Sequence, residues 1–435
     1  MDGVRSKVLT HAALPEAHEP EGLGIRFSLP GLVAFSASLI LASGALVFTL
    51  MRTLNHDFRA RLPAVVAQSS PARDAAPTTT PAWGELLTSD VQLENPEEYL
   101  ATDFDTSRPP TWVFDRLSLD QVRALLRDCG LSAALTDHAL APGGVTATPT
   151  NTVIKPDQEL VLSLTPEARG KLYGVLARNP ANIYMYFPAC FPANSFDAVM
   201  HESLVAPDLI AQIKPLLYHR GTAQYFSDYE IIMQRAPSAT QRINLLKALS
   251  RQPAVLARLR VRPATDVDKL LGYWTAMPGV RLKDLRPLVE SLRRLPDGGS
   301  ASLMYFLPPF ARERLYTFPM PPKAGDPAMD CHWSSLNFFN EQPDDRLGNP
   351  GYAAGILTKN YYPVQKPTAY GDVIVLVDEK NNGMHSAVYV ADDIVFTKNG
   401  NNHQQPWMLM RLENLIARYN NKGDIRALVY RQKSS

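Results

Sequence analysis

Cysteine is scarce in this chain: Cys129, Cys190 and Cys331 are the only three in 435 residues. That excludes a framework of several disulfides and leaves at least one thiol without a partner. An excess of charge of either sign is also lacking, because Lys+Arg 44 stands against Asp+Glu 43 for a net charge of +1. This excludes a nucleic-acid binder working by bulk positive charge and, equally, an acidic solvated chain. No CxxC or HxxxH spacing occurs, so the sequence offers no metal site and implies no cofactor. No internal repeat stands out. What is present is ordinary globular material, 45% hydrophobic, long enough for two or three domains. Proline is the exception: 36 residues, about 8% against the usual ~5%.

Long hydrophobic runs are rare, with one exception. No charged residue lies between Arg26 and Arg52. The stretch 29–51 is long enough, at ~1.5 Å per residue, to cross a ~30 Å hydrocarbon core as a helix. The expectation is an N-terminal tail over 1–28, a single transmembrane helix over 29–51, and the lipid bilayer as a partner. Arg5, Lys7 and Arg26 precede the run while Arg52, Arg59 and Arg61 follow it, so positive charge does not orient it. The short N-terminal side favours a single-pass membrane protein whose large C-terminal part lies on the outer, periplasmic or extracellular, face. Residues 52–84, rich in Pro, Ala and Thr, read as a linker.

Residues 85–300 read as a mainly helical domain. Ser118 with Gln121 forms a capping box ahead of a helix that stops near Gly130. Thr165-Pro166-Glu167, Ser238 with Gln241, and Thr265 with Asp268 mark three more starts. The run 283–295 has helical spacing, with Pro287 expected to bend its start. Short apolar runs at 160–164 and 183–187 read as strands. His201, His219 and the pair Asp228 and Glu230 carry no metal-ligand spacing, and Cys129 and Cys190 read as small packed hydrophobes.

Residues 301–435 carry the chemistry. YGDVIVLVDE (370–379) reads as a strand, HSAVYVADDIVFTKNG (385–400) as two strands around Asp392-Asp393, 409–419 as a helix and 426–430 as a closing strand. A helix followed by an antiparallel sheet is an α+β arrangement. Asp330 can cap a helix whose first residue is Cys331, and the N–H groups there favour a thiolate. A thiol nucleophile needs a base and the base needs an orienting group. His385 is the base candidate, and Thr397, Lys398 and Asn399, at the far end of the same hairpin, are candidates to orient it. His332 is the alternative base, disfavoured because helix neighbours face apart. Trp333, Trp407, Tyr361 and Tyr362 fit a substrate groove or ordinary aromatic packing.

Asp330-Cys331 with an aromatic-rich helix, then Tyr370-Gly371-Asp372-Val373, then His385-Ser-Ala-Val-Tyr-Val resembles the NlpC-type branch of the papain-like cysteine peptidases. The resemblance covers about residues 310–430. It implies Cys331 as nucleophile, His385 as base, Asn399 as the favoured third polar residue and Tyr316 as a substrate-site tyrosine. His332-Trp333 departs from the small Ser-Gly pair that follows the cysteine in that family. The implied fold class is α+β, with one transmembrane helix, a mainly helical middle and a C-terminal papain-like domain. The implied function is a membrane-anchored cysteine hydrolase of peptide or amide bonds, with cell-wall stem peptides as the substrate class and no nucleic-acid partner. The alternatives are an amide or ester hydrolase or acyltransferase of the same fold acting on lipid or protein, and a catalytically inactive binding domain of the envelope.

Overall fold

A computed structural model of the chain describes residues 80–100, 109–148, 150–420 and 423–433. The strands, in chain order, are β1 (Glu85–Leu93), β2 (Trp112–Asp115), β3 (Val145–Ala147), β4 (Asn151–Ile154), β5 (Ala189–Pro192), β6 (Tyr218–Arg220), β7 (Ala223–Phe226), β8 (Gln252–Val261), β9 (Gly299–Ser302), β10 (Tyr361–Val364), β11 (Val373–Val377), β12 (Gly383–Ala391), β13 (Ile394–Lys398), β14 (Trp407–Arg411) and β15 (Arg426–Gln432). They form one six-stranded antiparallel sheet, in the order β10-β15-β11-β12-β13-β14. Three antiparallel sheets of three strands each accompany it, β1-β8-β9, β2-β4-β3 and β5-β7-β6.

The expected fold class is therefore corrected to a mixed α/β fold. The middle is not helical alone, since β1 to β8 lie among its helices within residues 85–261. The membrane part of the expectation is corrected with it. The longest described helices, Ala239–Ser250 and Leu282–Arg293, have 12 residues each. That is ~18 Å of rise against a ~30 Å hydrocarbon core, and no helix among the described residues is long and apolar enough to cross a membrane. The run 29–51, on which the transmembrane helix and the single-pass localisation rested, lies outside the described residues, as does most of the linker.

Local chemistry explains most helix ends. Ser118 and Gln121 make the reciprocal capping box that opens Leu119–Asp128. Thr165 caps Pro166–Leu176 and Ser238 caps Ala239–Ser250. Asp266, not Thr265, caps Val267–Trp274; the Thr265 hydroxyl instead accepts from the Arg262 N–H. The two apolar runs expected as strands are helical, within Gln158–Leu162 and Ile183–Tyr186. Asp157 decides the first, because its carboxylate caps the Leu160 N–H. Apolar runs this short do not reveal their period.

The core is continuous across residue 300. Val255, Leu259 and Val261 of β8 pack with Trp274, Phe306 and Phe310, and the same cluster takes in Trp333, Val388, Phe396 and Leu409. Gly371, ahead of β11, has φ +94, and a Cβ there would lie 2.5 Å from the Phe339 ring, so only glycine fits. Buried Asp372 accepts from the Thr368 and Ala369 N–H groups and pairs with Arg431 of β15 at 2.7 Å. The Gly-Asp pair thus secures the sheet rather than reacting.

A second core fills residues 112–231 and surrounds an ion pair. Arg169 and Asp228 are fully buried and bonded to each other, and Tyr173 donates to the same carboxylate. Removing one partner strands a charge in the interior. Asp228→Asn is expected to lower unfolding stability by about 3–5 kcal/mol, measurable by denaturant titration against the parent chain.

Candidate active site

Cys331 is the first residue of the helix Cys331–Leu336, whose N-cap Asp330 accepts from the Trp333 N–H at 2.8 Å. The helix packs on β12 and β13. Trp333 joins the core on the side of the sheet where Val388 and Val390 point, while Ala387 and Tyr389 point to the opposite side, toward Leu415. Side chains alternate along a strand, so Ser386 lies on the side of the Cys331 helix and His385 on the other. The helix is tied to the strand by serines. Ser335 donates to the Cys331 carbonyl at 2.8 Å and meets Ser386 at 2.6 Å, and Trp407 donates to Ser334 at 2.9 Å.

His385 is fully buried. Its Nε2 meets the Thr397 hydroxyl at 2.8 Å, and its ring stacks on Tyr419 with centroids 4.4 Å apart. Tyr419 closes the helix Leu412–Tyr419. With Nε2 taken by Thr397, Nδ1 is left without a hydrogen-bond partner, and His385 acts on the Cys331 thiol through its charge.

The charge of His332 acts on the same thiol. Its Nδ1 is held by Ser386 at 2.9 Å. Cys331 stands at the helix start, with no preceding turn to screen it, and Ser386 holds the imidazole of the next residue. The substitution of His-Trp for a small pair was the sequence signal for this second imidazole.

These contacts set the electrostatics. Burial pushes the Cys331 thiol up, but His332 and His385 outweigh it and hold the thiol well below its ordinary value. Burial disfavours a charged His332, yet the Cys331 thiolate and Asp330 raise it to about 9. Burial, followed by repulsion from Cys331, lifts Asp330 to about 6. Lys398 is fully buried and donates to the Gly400 and Asn402 carbonyls at 2.7 and 2.9 Å. Burial presses it down to about 8, with Cys331 and Asp330 opposing.

A hydrogen bond joins His385 and Thr397, and His385 acts on the Cys331 thiol; Asn399 and Tyr316 join neither by a hydrogen bond. Continuing the register that pairs Val388 with Phe396 puts Asn399 opposite His385 and Thr397 on the diagonal. The imidazole leans along the strand to the diagonal partner, which long side chains can reach. Asn399 is buried with both amide atoms unpartnered. Tyr316 donates its hydroxyl to the Val255 carbonyl and its N–H to the Trp407 carbonyl, so it links β8 to β14. Trp333 and Trp407 are core residues. Among the described residues no group of His, Cys, Asp and Glu could hold a metal ion.

Comparison with known proteins returns nothing: no family model, curated protein or solved structure matches the chain.

The other thiols have no imidazole to offset burial, which pushes Cys129 up and Cys190 up to about 11. Cys190 is more exposed than Cys331. Iodoacetamide at pH 7 is nevertheless expected to modify Cys331 first, since the thiolate is the reacting form. Peptide mass analysis of the modified chain checks this order.

Proposed function

We propose that the chain is a cysteine hydrolase of amide or peptide bonds, with Cys331 as nucleophile, His385 as base and Thr397 as the group that orients His385. One observation carries the reading. His385, whose Nε2 is fixed by the buried Thr397 hydroxyl, helps to hold the Cys331 thiol well below its ordinary value. A base oriented this way can take the thiol proton and return it along one line. The proposed substrate class, peptide-like amides such as cell-wall stem peptides, follows the NlpC-type resemblance at Cys331 and His385.

The cycle balances on one proton. His385 holds the proton of the thiol while the sulfur attacks the carbonyl carbon, forming the C–S bond and moving the carbonyl pair onto oxygen. The Cys331 N–H, in the first turn where no intrahelical acceptor exists, can donate to that oxygen. The C–N bond then breaks, and the leaving amine takes the proton from His385. Water adds to the thioester and gives a proton to His385, the C–S bond breaks, and the acid leaves.

Amine release from a panel of peptide amides, cell-wall stem peptides included, tests the assignment. Cys331→Ala is expected to fall to background, and His385→Ala to lose about 10²–10⁴ of the rate. Thr397→Val should lose less, because the base remains but is no longer held. Undiminished release by Cys331→Ala would refute the proposal.

A further inference from the structure

Two imidazoles act on one thiol, more than a thiol–base pair requires, and they are held differently. His385 comes from β12 on one side of the sheet, with Thr397 behind it and Tyr419 stacked on its face. His332 comes from the Cys331 helix on the other side. Its Nδ1 is engaged by Ser386, which in turn meets Ser335, whose hydroxyl is bonded to the Cys331 carbonyl. The relay closes on the nucleophile's own backbone, so His332 is fixed relative to Cys331 rather than to the sheet alone.

We propose that His332 is a second catalytic imidazole, the standing counter-ion of the Cys331 thiolate, positioned by the Ser386–Ser335 relay, and that His385 alone carries the proton given to the leaving group. The division of roles rests on the hydrolase reading above; the ion pair does not. His332 takes its proton from solvent and holds it while the thiolate stands beside it, and the proton of the Cys331 thiol resides on His385 until the leaving amine takes it.

The surroundings favour a cation at His332. Asp330 faces it from the helix cap, while Lys398 from β13 and Tyr419 from the Leu412–Tyr419 helix flank the sulfur. Asp345, on the segment packed beside the Cys331 helix, is engaged by the Trp333 indole at 3.3 Å. Burial opposes the charge, and the thiolate and Asp330 together overcome it, so that His332 titrates near 9. The pairing therefore holds at neutral pH and is lost as pH rises through that value.

The test is the rate at which iodoacetamide modifies Cys331 in the full chain between pH 5 and 10, followed by peptide mass. His332→Gln is expected to raise the midpoint by a pH unit or more, so that at any pH below the parent midpoint the rate falls tenfold or more, each unit being a factor of ten in thiolate there. Ser386→Ala should shift it the same way by less, with the imidazole present but unheld. His385→Gln should move the midpoint less than His332→Gln does, while removing turnover. A His332→Gln profile that superimposes on the parent overturns the proposal, as does a larger shift from His385→Gln. Should His332→Gln fail to fold by circular dichroism, Ser386→Ala decides, and an unmoved midpoint there overturns it. A His332-dependent profile in a chain that hydrolyses no amide supports the ion pair and refutes the hydrolase reading.

Discussion

A negative sulfur buried at the end of a β-sheet is tolerable only when cations and donors stand close against it, because an unpaired buried charge carries a large desolvation penalty. That constraint organises everything around Cys331. With the side chain 6% exposed, solvent contributes little, and His332, His385 and Lys398 supply the positive field instead. Each of these needs its own partners. Ser386 holds His332, Thr397 holds His385, and the carbonyls of Gly400 and Asn402 hold Lys398. The site is a chain of polar groups, satisfied one by one and enclosed by apolar packing, in which each bond is strengthened by the low dielectric.

The rest of the molecule serves to keep those groups in register. Tyr316 joins β8 to β14, and β8 brings β1 onto the same core, so residues far upstream of Cys331 stiffen the sheet that carries His385. Tyr225 of β7 donates its hydroxyl to the Ala417 carbonyl, and the helix holding Ala417 ends in the tyrosine that stacks on His385. The middle of the chain is thereby in contact with the helix behind the imidazole. Its own buried Arg169–Asp228 pair lies within the core that includes Ala417.

Much was legible in the sequence because its causes are local. Helix starts at Ser118, Thr165 and Ser238 follow from side chains three residues from the groups they cap, and the Asp392 hairpin follows from a residue that tolerates positive φ. The apolar runs at 160–164 and 183–187 were not legible, because too few residues are present to show a period and a single cap at Asp157 tips the first one. The share of strand in the middle was equally hidden. Strands such as β5 to β7 have three or four residues each and are stable only through partners that the sequence does not reveal.

By itself the sequence determined that Cys331 would begin a capped helix, that His385 would lie near the start of the long strand of a hairpin, and that a polar residue would return beside it, since capping, alternation and turn chemistry act over a few residues. Only the tertiary structure decided that Thr397 rather than Asn399 takes the imidazole, and that Ser386 holds His332. Those choices depend on the lean of a ring across a strand pair and on a serine brought from 54 residues away, and neither is written in the spacing of the chain.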